Sequence, residues 1–420
     1  MDKYLKIISL ILVLAIFSIP VIPQSGTMDV IGLQWFLLGI INLVGFMLLW
    51  NRKLLIFKPR PLMFLLLSFI LLGGFSILYA SNTTLALQDF SRWLSIFTLA
   101  YFLSILLKNN FINFKQISYF FSVFLLIEVL VILFPLIFEL YLNGFQILKA
   151  TSVDSNAFNG LTGNKNIAAA SVMVKLPFVL YFFIESNFIK KIPGTIIISL
   201  SVLSILFIAA RASYISFLIF FLLSFIACFV FNKGIKQRIL FLVPIFFGYT
   251  IGFVFGNLFI PTNASSSIVN KVNTISFTQE GSSGRTLLWK DAYNYTFDHP
   301  YLGGGLGSWK IESAPYWNAH GSDYLVPYHA HNDFLEIFAE LGLFGGFLYL
   351  TIFLYLAFLF FIHIKFKFSR NKLIYFISLI SLGCYFIDSF FNFPMERPIM
   401  QISFAFLLAI GLHLDKTIIK

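Results

Sequence analysis

The chain has 420 residues, of which 59% are hydrophobic and 11% charged, and its formal net charge is +11. A soluble domain carries roughly 25% charged residues, so the composition excludes a soluble globular domain and points to a polytopic membrane protein. The cations lie in short connections between apolar runs and not on a basic face interleaved with aromatic rings, which excludes nucleic acid as the partner that the charge serves.

Apolar runs fall at about 4–22, 30–50, 61–80, 90–107, 117–141, 166–185, 192–210, 213–231, 238–260, 333–363, 373–391 and 396–414, each close to the ~20 residues a helix needs to cross a bilayer. The expected fold is therefore all-α and polytopic, with about twelve transmembrane helices in one integral membrane domain spanning 1–420. Lys3 and Lys6 precede the first run, which ends in Ile19-Pro20-Val21-Ile22-Pro23. No small-x-small cleavage site follows, so this run reads as a span and not as a signal peptide. Cys228 and Cys384 sit inside apolar runs, where they read as small buried hydrophobes.

Basic residues orient the helices. With the N-terminus in the cytoplasm, most of the 29 lysines and arginines fall on the cytoplasmic side, including Arg52, Lys53, Lys190, Lys191, Arg238 and Lys372. An even number of helices returns the C-terminus to the cytoplasm. The longest connection, about 261–332 between the ninth and tenth helices, then lies on the outer face. It carries Trp289, Trp309, Tyr316 and Trp317, rings that suit either membrane-level anchoring or stacking on sugars.

Along the chain, polar residues gather on that outer side. Arg92 is placed at the start of the fourth helix, and Gly163-Asn164-Lys165-Asn166 opens the sixth, within which Lys175 precedes Pro177. Arg211 lies in the brief connection Ile208-Ala209-Ala210-Arg211-Ala212-Ser213, at or just below the membrane surface. A guanidinium there either snorkels or meets an anion. Arg285 follows Ser282, Ser283 and Gly284 and precedes a helical stretch from Thr286 to Tyr295. Backbone N–H groups and an arginine could hold phosphate oxygens at such a place, although a solvated loop arginine has the same sequence signature. The segment lacks the terminal Lys-Ser/Thr of a P-loop.

The densest polar stretch is His329-Ala330-His331-Asn332-Asp333-Phe334-Leu335-Glu336. The two histidines lie on one side of an extended backbone. They suit either a metal pair, for which no third ligand at suitable spacing follows, or a neutral imidazole acting as general base toward a sugar hydroxyl. Asn332 or Asp333 would cap the next helix, and Glu336 and Glu340 would form its polar start. Asp388, Asn392, Glu396 and Arg397 surround the last outer turn, where Glu396 and Arg397 could pair with each other. Missing from the chain are an Asp-x-Asp metal–nucleotide motif, a Walker sequence, a Gly-x-Ser-x-Gly elbow and a Cys-x-x-Cys pair.

Gly-Arg-Thr-x-x-Trp at 284–289, His-Pro-x-x-Gly-x-Gly-x-Gly at 299–307, His-Ala-His-Asn-Asp-Phe-Leu-Glu at 329–336 and Glu-Leu-Gly-Leu-Phe-Gly at 340–345 together resemble the O-antigen ligase/polymerase superfamily. Gly163–Asn166, Arg211 and the stretch from Asp388 to Pro398 fit the same pattern, so the resemblance runs over about 160–400. It implies a metal-independent, cofactor-free glycosyltransferase of the GT-C type in the bacterial inner membrane, with its active site in the periplasm. The donor would be a glycan on undecaprenyl pyrophosphate. Arg211 and Arg285 would hold the pyrophosphate and stabilise it as leaving group, and His331 would activate the acceptor hydroxyl. His329, Asn332, Lys165, Asn166, Arg92 and Arg397 would bind substrate. Lipid A–core is the expected acceptor, from the helix count and the closely spaced loop between Arg285 and His331. A growing glycan (a polymerase) is the alternative within the superfamily, followed by a protein hydroxyl. A transporter of lipid-linked glycans is the alternative outside it, although it predicts symmetric broken helices that the chain does not show.

Overall fold

The computed structural model describes residues 2–22, 29–55, 60–142, 144, 155–184, 189–231, 234–259, 284–318, 328–365 and 370–415. Much of the long connection at 261–332, including Ser282 and Ser283, lies outside the described residues, as do Lys58, Lys233, Lys367, Lys416 and Lys420 of the basic connections.

Among the described residues all regular structure is helical. The α-helices are α1 (Asp2–Ser18), α2 (Val30–Asn51), α3 (Pro61–Ser76), α4 (Thr83–Lys108), α5 (Phe114–Leu142), α6 (Lys165–Lys175), α7 (Ile192–Ile208), α8 (Arg211–Phe231), α9 (Ile235–Phe259), α10 (Arg285–Asp298), α11 (Trp309–Asn318), α12 (Asp333–Lys365), α13 (Arg370–Phe391) and α14 (Pro398–Leu414). Each of the twelve apolar runs carries helix. Among the described residues ten helical segments are long and apolar enough to cross a membrane, and two more, α3 and α14, are apolar but only 16 and 17 residues long. The chain is a multi-pass, all-α membrane protein.

By internal packing the chain forms two compact units. The first comprises Met1–Gln34, Asn110–Ile275 and Phe360–Ile387, and the second Trp35–Asn109, Ser276–Leu359 and Asp388–Lys420.

In the first unit α9 packs along α7. Gly248, Gly252 and Gly256 recur every four residues on one face of α9, and a Cβ on Gly248 would stand 2.9 Å from the Thr195 carbonyl oxygen of α7. Small residues at this spacing let two helix backbones approach where no hydrophobic effect drives them together. Asn164 caps α6 by accepting from the backbone N–H groups of Asn166 at 2.9 Å and Ile167 at 3.3 Å. Pro177 cannot donate to the turn before it, and beyond Lys175 the helix tightens into a 3₁₀ stretch over Leu176–Ile184. Lys175 is buried at that junction and pairs with Glu128 of α5 at 2.8 Å.

In the second unit α14 lies along α4. Asp415, just past α14, accepts from the Leu62 N–H at the start of α3 (2.9 Å) and from the Tyr355 hydroxyl of α12 (2.8 Å). A carboxylate on a helix N-terminus meets unpaired N–H groups and the positive end of the helix dipole. α4 begins at Thr83, because the Asn82 side chain accepts from Leu85 N–H at 3.0 Å. This corrects the expected position of Arg92, which lies in the third turn of α4 and not at its start.

The feature that positions the segments around the long connection is a break in α12. Gly342 adopts φ 67° and ψ −173°, a backbone conformation outside the helical region, so α12 is two helices joined at this residue. The break frees backbone groups, and the turn at 300–305 takes them up. Leu343 N–H donates to the Pro300 carbonyl at 2.8 Å, while Gly304 and Gly305 N–H donate to the carbonyls of Ala339 and Glu340 at 3.1 and 2.7 Å. A side chain on Gly303 would collide with the same two carbonyls, and one on Gly342 with the Tyr301 carbonyl, at 2.5 Å in each case.

Candidate active site

The turn at 299–307 is anchored at further points in the second unit: Leu306 N–H donates to Ser76 Oγ at 3.1 Å, and Tyr79 donates its hydroxyl to the Leu302 carbonyl at 2.9 Å. Beneath it lies a small core of Ala292, Tyr295, Trp309, Ala330 and Ala339, with Leu335 and Tyr316 against its edge. Trp309 is 1% exposed. It is therefore neither a membrane-level anchor nor a sugar platform. Tyr316 donates to Asp298 at 3.1 Å.

On this base stand two short elements that carry chemistry. Gly284 takes a left-handed conformation (φ 78°) and starts α10, so that Arg285 occupies its first turn. Arg285 Nη2 donates to Asn392 Oδ1 at 3.1 Å, and Asn392 in turn is hydrogen-bonded to Asp388. One turn along α10, Trp289 packs on Phe390 and Phe391 with ring centroids 5.6 and 6.0 Å apart and donates its Nε1–H to the His331 carbonyl at 3.4 Å.

The second element is the segment 329–332, which leads into α12. Asn332 is the cap, since its Oδ1 accepts from Leu335 N–H at 3.1 Å. Asp333 is buried and accepts from the Met395 N–H at 3.2 Å. Glu336, one turn into the helix, turns back on the loop. One oxygen lies 3.0 Å from His329 Nδ1 and the other accepts from the Ala330 N–H at 2.9 Å. Both Glu336 and Glu340 are 1% exposed, so neither forms a solvated helix start. Phe393 receives both imidazoles, His329 stacked at 4.4 Å and His331 edge-on at 5.0 Å.

His331 has φ 52°, the left-handed region that a residue with a side chain seldom enters. Its Nδ1 is buried and has no hydrogen-bond partner among the described residues. Burial, then the charge of Arg285, then that of His329 push the His331 imidazole down to about 4. His331 is therefore neutral near pH 7. His329 behaves oppositely: burial would lower it, but the Glu336 carboxylate outweighs that effect and raises it above the ordinary histidine range.

A second polar cluster borders the first. Asp89 and Arg92 of α4 pair at 2.9 Å, Lys310 of α11 reaches Asp89 at 3.1 Å, and Glu396 pairs with both Arg92 and Lys310. All four side chains are 10–13% exposed. Burial alone would raise Glu396, but Lys310, Arg92 and His329 hold it down at about 2. Burial alone would lower Lys310, but Asp89 and Glu396 hold it above the ordinary lysine range. Trp35, Asp89, Arg92, Glu340 and Glu396 line a pocket of about 10 Å³, room for roughly one water.

Of the residues expected from the sequence, His329, His331, Asn332, Arg285, Arg92 and Arg397 lie in the second unit. Arg92 is committed to two carboxylates. Arg397 lies 5.4 Å from the Phe393 ring, and its Nε has no partner among the described residues. Glu396 turns to Arg92 and Lys310, partners that the proximity of Arg397 in sequence does not suggest. Arg211, Lys165 and Asn166 belong to the first unit. There Ala209 ends α7 in a left-handed conformation (φ 55°), α8 starts at Arg211, and Lys165 donates to Ser155 Oγ at 2.9 Å. Lys310 and Asp89 are members of the charged cluster that sequence reasoning missed. A signal was present, since Asp89 and Arg92 are one helical turn apart in an otherwise apolar run. No group of three or more His, Cys, Asp or Glu among the described residues could hold a metal ion.

Residues 196–350 match the family model described as O-antigen ligase, which supports the resemblance to that superfamily. The match includes Arg211, Arg285, His329, His331 and Asn332 and leaves Arg92, Lys165, Asn166 and Arg397 outside. No curated protein matches the chain.

Proposed function

We propose, starting from the O-antigen ligase domain at residues 196–350, that this membrane protein transfers a glycan from undecaprenyl pyrophosphate to a hydroxyl of lipid A–core at the periplasmic face of the inner membrane, with both of its termini in the cytoplasm. Activity of the O-antigen ligase/polymerase type in general follows from the family match. The donor, the acceptor and the residue roles go beyond that match. The observation that carries it is His331: a neutral imidazole with a buried, unpartnered Nδ1 among the described residues, beside the Arg285 guanidinium.

In the reaction the acceptor oxygen attacks the anomeric carbon of the donor. The bond between that carbon and the pyrophosphate oxygen breaks, and the pyrophosphate leaves with the bonding electrons. His331 takes the hydroxyl proton, a role that requires its unprotonated form. Arg285 meets the negative charge that develops on the leaving group, where a fixed cation in a site of low polarity is most effective. Because the donor is already activated and anionic, this scheme needs neither nucleotide nor metal. Trp289 and Asn392 hold Arg285 and the His331 backbone in register. Arg211 has the same phosphate-holding role in the superfamily resemblance and is tested by itself.

The test is deletion of the gene in its native host, complemented with wild type or His331→Asn, reading surface glycan and carrier-linked glycan side by side. Long chains stalled on the lipid carrier with bare lipid A–core, unrescued by His331→Asn, support the ligase. Single repeats on lipid A–core mean a polymerase. Full rescue by His331→Asn removes the general-base reading and returns a transporter to consideration.

A further inference from the structure

We propose that Glu336 is a positioning residue that sets His331 for proton transfer by fixing the two residues before it. The inference rests on the reading of His331 as the base and names the group through which that base is held.

The geometry assigns each Glu336 oxygen a separate task. Oε1 lies 3.0 Å from His329 Nδ1, and Oε2 accepts from the Ala330 N–H at 2.9 Å. The backbone enters the left-handed region at the next residue, His331. Such a conformation is strained for a residue with a side chain and persists only where its surroundings impose it. Three attachments impose it here: Glu336 on the residues before, Trp289 on the His331 carbonyl at 3.4 Å, and Asn332 as cap of the helix that follows. Glu336 is the attachment that no neighbour duplicates, because it grips a side chain and a backbone amide at once. It is 1% exposed and hydrogen-bonded through both oxygens, and its own N–H is tied to the Asn332 carbonyl at 3.0 Å. A buried carboxylate so engaged cannot turn outward without leaving the Ala330 N–H unpaired. Phe393 completes the arrangement, since His329 stacks flat on it while His331 meets the same ring edge-on. Fixing His329 therefore fixes the surface against which His331 is set. A helix cap alone would need none of this.

Two variants separate positioning from general structure. Glu336→Gln keeps the shape but cannot accept from both His329 and Ala330. Glu336→Asp keeps the charge but is one methylene short and retains at most one contact. The full-length protein is reconstituted in liposomes with carrier-linked glycan isolated from the host and lipid A–core. Transfer is measured as kcat and KM separately, alongside amide hydrogen exchange over 328–336 without substrate. The expected result is faster exchange at Ala330 in at least one variant, with kcat there lower by about 100-fold, the scale of a 1 Å misplacement, and donor KM unchanged within about twofold. Faster exchange with wild-type kcat overturns the proposal while leaving the base reading intact. Unchanged exchange at Ala330 in both variants overturns it whatever the activity. If His331→Asn is fully active, the base reading fails, and the inference fails with it even when Ala330 exchange rises.

Discussion

Trp289 donates its indole N–H to the carbonyl of His331 at 3.4 Å, and this bond ties the helix that begins at Arg285 to the loop that carries both histidines. Arg285 and the proposed base are thus linked through backbone and ring. Trp289→Phe keeps the packing on Phe390 and Phe391 and deletes the bond. A hydrogen bond of this kind is worth about 1 kcal/mol, so the transfer rate should fall on the order of fivefold with little change in melting temperature. A fall in melting temperature at constant rate would show that the bond serves the fold alone.

The acidity of His331 gives the pH dependence a definite sign. An imidazole held at about 4 stays in its base form far below the ordinary histidine range. The rate constant kcat/KM should therefore remain flat as pH falls from 8 to about 5, bend near 4 and fall with unit slope only below that. A limb near 6.5 would mean that His331 is solvated in the free protein or that another group is the base.

Arg285 already shares one guanidinium nitrogen with Asn392. Lysine retains the charge but not the planar fork, so Arg285→Lys should lower transfer by on the order of 100-fold without changing membrane insertion. Arg211→Ala, assayed separately, should also insert normally and lose transfer. Normal activity in either variant would return that arginine to a solvated or snorkelling role.

The cluster of Asp89, Arg92, Lys310 and Glu396 balances two carboxylates against two cations. Lys310→Met leaves an excess of buried negative charge and should cost about 3 kcal/mol. Adding Asp89→Asn restores the balance around the remaining pair of Arg92 and Glu396, so the double variant should recover about half of that loss. Thermal unfolding in detergent measures both, and a double variant as unstable as the sum of its singles would show that charge balance is not what holds the cluster.

The helices were legible because a bilayer demands uninterrupted apolar length, and each run of that length became helix. Arg285 and His331 stood out as candidates because polar residues are rare in such a chain, and the structure places both in the second unit. The break at Gly342 was not, since Glu-Leu-Gly-Leu-Phe-Gly reads equally as a continuous helix with small residues. What breaks it is the turn at 300–305, about 40 residues earlier, which competes for its backbone groups. The partners of Glu396 were hidden for the same reason, because Lys310 and Arg92 are remote in sequence while Arg397 is adjacent. Trp309 looked like an interface ring because aromatic residues in an outer loop share one composition whether they face lipid, sugar or each other.

The left-handed backbone at His331 also separates two rankings of side chains at that position. Tolerance of φ 52° favours glycine and asparagine over alanine and disfavours valine and isoleucine, whereas the proposed proton transfer favours only the imidazole. An alanine replacement removes the ring and strains the loop together, so its loss of activity is a sum of two effects. Glycine and asparagine leave the chain at ease and take away the chemistry alone, which makes residue 331 a place where the protein's durability and its usefulness are set by unrelated properties of one side chain.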